Sequence, residues 1–152
     1  MKKYVPYPAR DPIKNYFPLP NEIFDFGLHS TAIAIYAYLM KLEDRSSYTC
    51  FPVYKTIAKA VGVGSKTTIA KYVRELEDKR LIETERRKTI TSDGMKRDST
   101  LLYHIRPIQE AINAQNERQL TQLEQEAEIA KAMKKAKKMK VEYTPPDREH
   151  NA

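Results

Sequence analysis

Apolar residues recur at helical spacing in the segment "TAIAIYAYLMKLE", which follows Ser30. The helical positions hold Ile33, Tyr36, Ala37 and Met40, and Ile35 and Leu39 are also apolar. A helix that is apolar over most of its circumference lies in the centre of a core. Ser30 belongs to the residue types preferred at an N-cap. The pattern therefore predicts a central core helix that begins at Ser30.

Two shorter amphipathic segments follow, separated by Gly62. The first, 53–61, places Tyr54, Ile57, Ala58 and Val61 on its inner side, and glycine is typical just after a helix end. Ser65 is predicted to cap the second helix, 65–79. At about 100° per residue, Ile69, Tyr72, Val73 and Leu76 share one face of this helix, and Thr67, Lys71, Arg74 and Asp78 share the opposite face.

Two strand-like segments, "LIETERRKTI" and "TLLYHIRP", lie on either side of Asp93-Gly94. An Asp-Gly pair between two such segments indicates a β-hairpin. The preceding stretch "DRSSYTCFP" is predicted to be a loop, and Pro52 is placed to open the helix after it. We refer to residues 86–97, around the hairpin tip, as the wing.

The chain divides into four predicted segments. Residues 1–27 form an arm with five prolines in its first twenty positions, ending in a short helix closed by Gly27. Residues 28–106 form the main domain, and residues 107–140 a charged helix without Pro or Gly, about 50 Å long. Its first half carries five glutamates, and 129–140 carry six lysines and no acid. Residues 141–152, with Pro145-Pro146, are predicted to be disordered.

The composition is basic, with 27 Lys and Arg against 20 Asp and Glu, a formal charge of +7 and a pI near 9.4. Residues 55–106 alone hold thirteen basic and seven acidic residues. Such a balance attracts polyanions, although it also occurs in proteins that need charge only for solubility. A lone Cys50 suits a reducing compartment. No signal peptide or membrane-spanning stretch is visible. We therefore expect a soluble cytoplasmic protein, associated with the nucleoid.

Two short helices joined by a glycine turn form a helix-turn-helix pattern. Ala58 is small enough for the second helix to cross above it, and Val63 fills the corner. The chain here resembles the winged helix-turn-helix domains of bacterial GntR- and MarR-like regulators and of plasmid and phage replication initiators. The resemblance rests on "YKTIAKAVGV", "SKTTIAKYVRELEDKRLIE" and "SDGMKRDSTLLYHI". It implies an α+β fold, mostly α, with a small β-hairpin wing and a long C-terminal helix.

The resemblance also implies which residues contact duplex DNA. The groove-facing positions of the recognition helix are Ser65, Lys66, Thr67, Ala70, Lys71 and Arg74. The helical arrangement independently exposes Thr67, Lys71 and Arg74. In the wing, the basic residues Arg86, Arg87, Lys88, Lys96 and Arg97 are expected to contact the DNA backbone or minor groove.

Each set has a plainer interpretation. Lys71 and Arg74 could form a solvated face paired with Glu75 or Asp78, and the wing charges could only protect an edge strand. The turn "GVGS" is one residue longer than the compact family turn. Gly64, which tolerates positive φ, is expected to accommodate the extra residue.

No enzyme is predicted. His29, His104 and His150 are far apart and have no metal-ligand spacing with Cys50, so His104 is expected to be structural. "GVGS" lacks the context of a phosphate-binding loop. The ten tyrosines include no nicking nucleophile with a histidine pair beside it. We expect no cofactor, no metal and no small-molecule effector.

The predicted function is sequence-specific binding of duplex DNA, in a transcriptional regulator or a replication-initiation factor of a mobile element. The alternative is a winged-helix protein-interaction module that recruits a partner through the long C-terminal helix. That helix has a thin apolar stripe of Ile108, Ile112, Leu120, Leu123, Ala127 and Ala130. It could form a homodimer through a weak heptad or stand alone as a charged helix. Its lysine run could add nonspecific attraction to DNA or touch a membrane surface, without insertion into the bilayer.

Overall fold

The computed structural model describes residues 16–142, and gives the backbone alone for Thr89, for 96–99 and for 141–142. The predicted arm lies outside this range up to residue 15, and so does the predicted disordered tail from residue 143. A 3-10 helix spans Asn21–Asp25. The remaining elements, in chain order, are α1 (Ser30–Leu42), β1 (Thr49–Cys50), α2 (Tyr54–Val61), α3 (Lys66–Asp78), β2 (Ile82–Ile90), β3 (Lys96–Ile105) and α4 (Ile108–Glu142). The predicted α+β class with a hairpin and a long C-terminal helix is confirmed.

Helix α1 is the centre of the core, as its apolar pattern predicts. Its fully enclosed residues are Ala32, Ile35, Tyr36 and Leu39. The prediction that Ser30 caps this helix is wrong, because the N-cap is His29. The Nδ1 atom of His29 accepts a hydrogen bond of 3.1 Å from the Thr31 N–H. An imidazole acceptor thus replaces the expected hydroxyl, and Ser30 becomes the first helical residue.

Helices α2 and α3 form the predicted pair around Gly62. Gly62 has φ +76°, and the Val63 N–H donates to the Ala58 carbonyl over 2.9 Å, which closes the end of α2. Val63 is half-buried against the core and fills the corner, as expected. Gly64 does not have a positive φ, so the longer turn does not use the left-handed conformation that glycine tolerates at this position. Gly62 alone reverses the chain, and residues 63–65 run on to α3.

The sheet has three antiparallel strands in the order β1-β3-β2. The hairpin of β2 and β3 is confirmed, with a turn in which Gly94 has φ +77° and its N–H donates to the Thr91 carbonyl. The pairing register shifts between Arg86 and Lys88, at the start of the wing. The prediction of a plain loop before α2 is wrong, because Thr49 and Cys50 pair with β3. Two residues are too few for a sequence pattern, and their pairing with β3 depends on contacts that are distant in sequence.

One core joins residues from all the segments around the main domain. It includes Ile23 and Phe26 from the region of the 3-10 helix and Ala111 from α4. The first two turns of α4 therefore belong to this core, with Ile108 and Ile112 packed at its edge. From residue 116 to residue 140, every side chain of α4 is exposed.

Polar contacts fix the direction in which α4 leaves the core. Arg106 donates two hydrogen bonds to the Glu110 carboxylate, at 2.7 and 3.0 Å. The Gln115 amide donates to the Asp25 carbonyl over 2.9 Å. The Arg118 guanidinium donates to the Asp78 carbonyl at the C-terminal end of α3. A cation is favourable at that end of a helix, and the last turn of α3 contains no basic residue of its own.

The two glycines of the turn between α2 and α3 give a matched test of the fold. Gly62→Ala is expected to lower the free energy of unfolding by about 1–2 kcal/mol, because an L residue is strained in the left-handed region. Gly64→Ala is the control, since its φ is not left-handed and an added Cβ meets no atom within 4 Å. It should leave stability unchanged or raise it by about 0.4–1 kcal/mol. Urea denaturation measures both, and equal losses would contradict the assigned turn.

Cys50 is expected to be chemically silent in the folded protein. It is buried on β1, its Sγ lies 3.6 Å from the Leu39 carbonyl, and burial raises the pKa of its thiol to about 12. Because the thiolate is the reactive form and the pKa is raised, the thiol is neutral at pH 8. A thiol-reactive dye should label it only after denaturation. Rapid labelling of the native protein at pH 8 would show that the Cys50 thiol is not buried in the folded protein.

Candidate nucleic-acid interface

Helix α3 presents one apolar face to the core and one basic face to solvent. Ile69, Val73 and Leu76 are enclosed, and Tyr72 is half-buried. The predicted residues Lys66, Thr67, Lys71 and Arg74 are all exposed, and Ala70 is half-buried at their border. Ser65 is the exposed N-cap residue, as predicted, but its side chain forms no capping hydrogen bond. Its hydroxyl and the first N–H groups of α3 remain at the surface.

The basic residues of α3 are not neutralised by the carboxylates beside them. Within the part of the chain that the structure describes, the ion pairs are Glu85 with His104 and Glu110 with Arg106. Glu75 instead accepts a hydrogen bond of 3.1 Å from the His29 N–H. The interpretation in which Lys71 and Arg74 pair with Glu75 or Asp78 has no contact to support it.

An aromatic stack connects α3 to the start of α1. The rings of His29 and Tyr72 lie 4.6 Å apart between centroids and are inclined by 19°. The Lys71 Nζ lies 5.4 Å from the centre of the Tyr72 ring, within the range of a cation–π interaction. Sequence reasoning assigned no such contact to His29 and placed Tyr72 only on the apolar face. The stack aligns α3 from its side and holds Lys71 at the surface.

The described basic residues of the wing lie on β2. Arg86, Arg87 and Lys88 are exposed. The Arg87 guanidinium carbon lies 5.5 Å from the centre of the Phe51 ring, and that ring is 61% exposed. Sequence reasoning assigned Phe51 to a loop, because its contact with β2 depends on the pairing of β1. Lys96 and Arg97 are backbone partners of Ile90 and Thr89, and their side chains lie outside the described residues.

Tyr54 lies between the recognition helix and the wing. Burial raises the pKa of its phenol above the ordinary value, and the charge of Glu77 adds to this effect. The nearby charges of Arg86 and Arg74 oppose the rise. A basic residue from α3 and one from β2 are thus both close enough to act on the same hydroxyl.

A mostly apolar cavity of about 460 Å³ opens beside this surface. Its walls include Tyr54 and Lys55 of α2, Lys66 of α3 and Tyr103 of β3. The Tyr103 hydroxyl is buried there without a hydrogen-bond partner, and burial raises its pKa well above the usual range.

Other kinds of site receive no support in residues 16–142. No group of three His, Cys, Asp or Glu side chains in that range could hold a metal ion. His104 is bonded to Glu85 over 3.0 Å, in agreement with a structural role, and His150 lies outside the range. No helix in it has the length and hydropathy needed to span a membrane.

Known proteins offer two points of similarity to this chain. The solved structure of a possible transcriptional regulator from Methanosarcina mazei Go1 is similar over 66% of this chain and 80% of that protein, with 15% identity and a TM-score of 0.39. No curated protein matches the chain. The family model of a helix-turn-helix domain matches residues 27–82. This segment, with α2, the Gly62 turn and α3, is therefore similar to helix-turn-helix domains.

Proposed function

We propose that the protein binds duplex DNA sequence-specifically, with α3 in the major groove and the wing on the DNA backbone. One observation carries the proposal: the face of α3 opposite its buried residues exposes Lys71 and Arg74, and neither forms an ion pair within residues 16–142. The helix-turn-helix match over residues 27–82 supports this use of α3. The net charge of +7 favours the same partner.

The residues of α3 suit different parts of the duplex. Lys66, Lys71 and Arg74 can donate to guanine O6 and N7 in the major groove. Thr67 offers a hydroxyl to base edges, and Ala70 offers a methyl group to thymine. Ser65 and the free N–H groups at the start of α3 suit a phosphate, because a helix N-terminus favours anions. Phosphate contacts fix the register of the helix, and base contacts select the sequence.

The wing supplies the second contact. Its cations, Arg86, Arg87, Lys88, Lys96 and Arg97, are proposed to bind phosphates beside the groove that α3 occupies. Arg87 is orientated by the Phe51 ring, so less side-chain freedom is lost when it binds. Such binding fits a transcriptional regulator or a replication-initiation factor, and both act through recognition of a defined duplex site.

The first test removes the central cations of α3. Lys71→Glu combined with Arg74→Glu is expected to weaken specific binding by about 2–6 kcal/mol, because two base contacts are lost. The matched control is Lys41→Glu with Arg45→Glu, which changes the net charge equally. Arg45 lies in the loop whose Tyr48 carbonyl accepts from the Ile105 N–H, at the end of the hairpin away from its tip. Fluorescence anisotropy with a labelled duplex measures both variants at the same salt concentration.

The comparison of the two variants decides the assignment. If both lose the same affinity, binding follows net charge alone and α3 has no special role. If neither variant changes binding, α3 does not contact DNA. Absence of duplex binding by the unaltered chain would favour the protein-interaction alternative. Sequences for the duplex come from selection in a random pool.

The second test separates wing contacts from base contacts. Arg86→Gln with Lys88→Gln should reduce the dependence of log affinity on log salt by about 1.8, because each lost phosphate contact contributes about 0.9. The selected sequence should stay the same, since phosphate contacts carry no base information. Binding measured from 50 to 300 mM salt, together with repeated selection, checks both statements. A changed consensus would mean that the wing reads bases.

A further inference from the structure

The outer part of α4 carries an apolar stripe that its own domain leaves exposed. Leu120 and Leu123 are 60% and 61% exposed, and Ala127 and Ala130 are exposed as well. The spacing of 3, 4 and 3 residues between them is that of a coiled-coil seam. The next seam positions, 134 and 137, are lysines. The stripe is therefore confined to residues 120–130.

This stripe does not continue the face of α4 that contacts the core. At 3.6 residues per turn, its centre lies about 150° round the helix from the residues that face the domain most directly. Those residues are Ala111, Ala114, Gln115 and Arg118. Because Gln115 and Arg118 hold the helix in this rotation, the domain below cannot cover the stripe.

We infer that the stripe packs against the same stripe of a second copy of this chain, with the two helices antiparallel. The first argument is the size of the side chains. In an antiparallel pair centred on residue 125, Leu120 lies opposite Ala130 of the second copy, and Leu123 lies opposite its Ala127. Each layer then combines a large and a small side chain, which fills an interface evenly. A parallel pair would place leucine against leucine and leave a gap between the alanines.

The second argument is the charge of α4. Residues 117–128 carry Glu117, Glu124, Glu126 and Glu128 and a single arginine, whereas residues 131–140 carry six lysines. In this register, the lysine segment 131–140 of each helix lies along residues 110–119 of the other, which include Glu110 and Glu117, whereas Glu124 and Glu126 lie near their own counterparts. In the same register, Glu117 lies beside Lys131 of the second copy. A parallel pair would bring the two lysine segments together, where like charges repel.

The arrangement has a geometric consequence for DNA, which rests on the function proposed above. In the antiparallel pair the two Gln115 residues, where the helices leave their domains, are about 30 Å apart along the axis. The two recognition helices are related by a twofold axis, so the preferred site is an inverted repeat. A parallel pair would place both domains at the same end.

Cysteine cross-linking tests the orientation directly. The variants are Leu120→Cys and Ala130→Cys, and Cys50 can remain because it is buried, so the unaltered chain is the control. The antiparallel pair predicts a disulfide-linked dimer when the two variants are mixed and oxidised, and little from either variant alone. Cross-linking of each variant with itself would overturn the antiparallel assignment. A monomer in sedimentation equilibrium at 100 µM would overturn the pairing itself.

Salt and one further variant give an independent readout. Self-association of the antiparallel pair should weaken as salt rises from 50 to 500 mM, because attractive pairs are screened. Glu126 lies beside its own counterpart near the twofold axis, so Glu126→Gln should strengthen the dimer. In a parallel pair Glu126 would lie beside Lys131 of the second copy, and the same change would weaken it. If self-association strengthens as salt rises and Glu126→Gln weakens the dimer, the antiparallel pair is excluded.

Failure of this inference can be told apart from failure of the proposed function. Leu120→Glu with Leu123→Glu should give a monomer that keeps the affinity of a single domain for one half-site, since both residues lie beyond the packed turns of α4. The additional affinity that a dimer gains from a second half-site should disappear. Lys71→Glu with Arg74→Glu should do the reverse and leave self-association intact. If the leucine variant remains a dimer, the stripe is not the interface.

Discussion

Burial of one face of α3 is the constraint on which the other features depend. Ile69, Val73 and Leu76 enter the same core as α1, and their enclosure determines which residues of α3 remain at the surface. The glycine turn sets the angle of approach, and the His29–Tyr72 stack fixes the helix from its side. The basic side chains of α3 are therefore presented to solvent by contacts that contain no lysine or arginine. Recognition chemistry can change at the surface while the packing below remains the same.

A strand that is only two residues long joins the segment before α2 to the hairpin. Pairing of Cys50 with Tyr103 brings the segment before α2 against β3, which places Phe51 beside Arg87 and Tyr54 near Arg86. A short strand thus places an aromatic ring beside a basic residue of the hairpin.

Local periodicity was sufficient to predict the buried and exposed faces of α3. Residue type predicted the role of Gly62 and the hairpin turn, and helix propensity without Pro or Gly predicted the extent of α4. Each of these depends on residues within one or two turns of one another. The features that escaped prediction depend on distant partners: β1 exists only through β3, the cap of α1 is an imidazole that also stacks on Tyr72, and Phe51 gains a role only from the fold. For the same reason, the apolar stripe of α4 could not be divided from sequence into a buried part and an exposed part. The structure assigns Ile108 and Ile112 to the core and leaves Leu120 and Leu123 outside.

The hydrogen bond from Arg118 to the Asp78 carbonyl joins α4 to the C-terminal end of α3. From Arg118 to Lys140 the helix extends about 33 Å. A tilt of α4 by about 10° at Arg118 would displace Lys140 by about 6 Å. A displacement of the distant end is resisted by the hydrogen bonds of Gln115 and Arg118 and by the packing of Ala111 in the core. A partner bound to the far end of α4 therefore acts on α3, the helix proposed to read DNA, through these contacts.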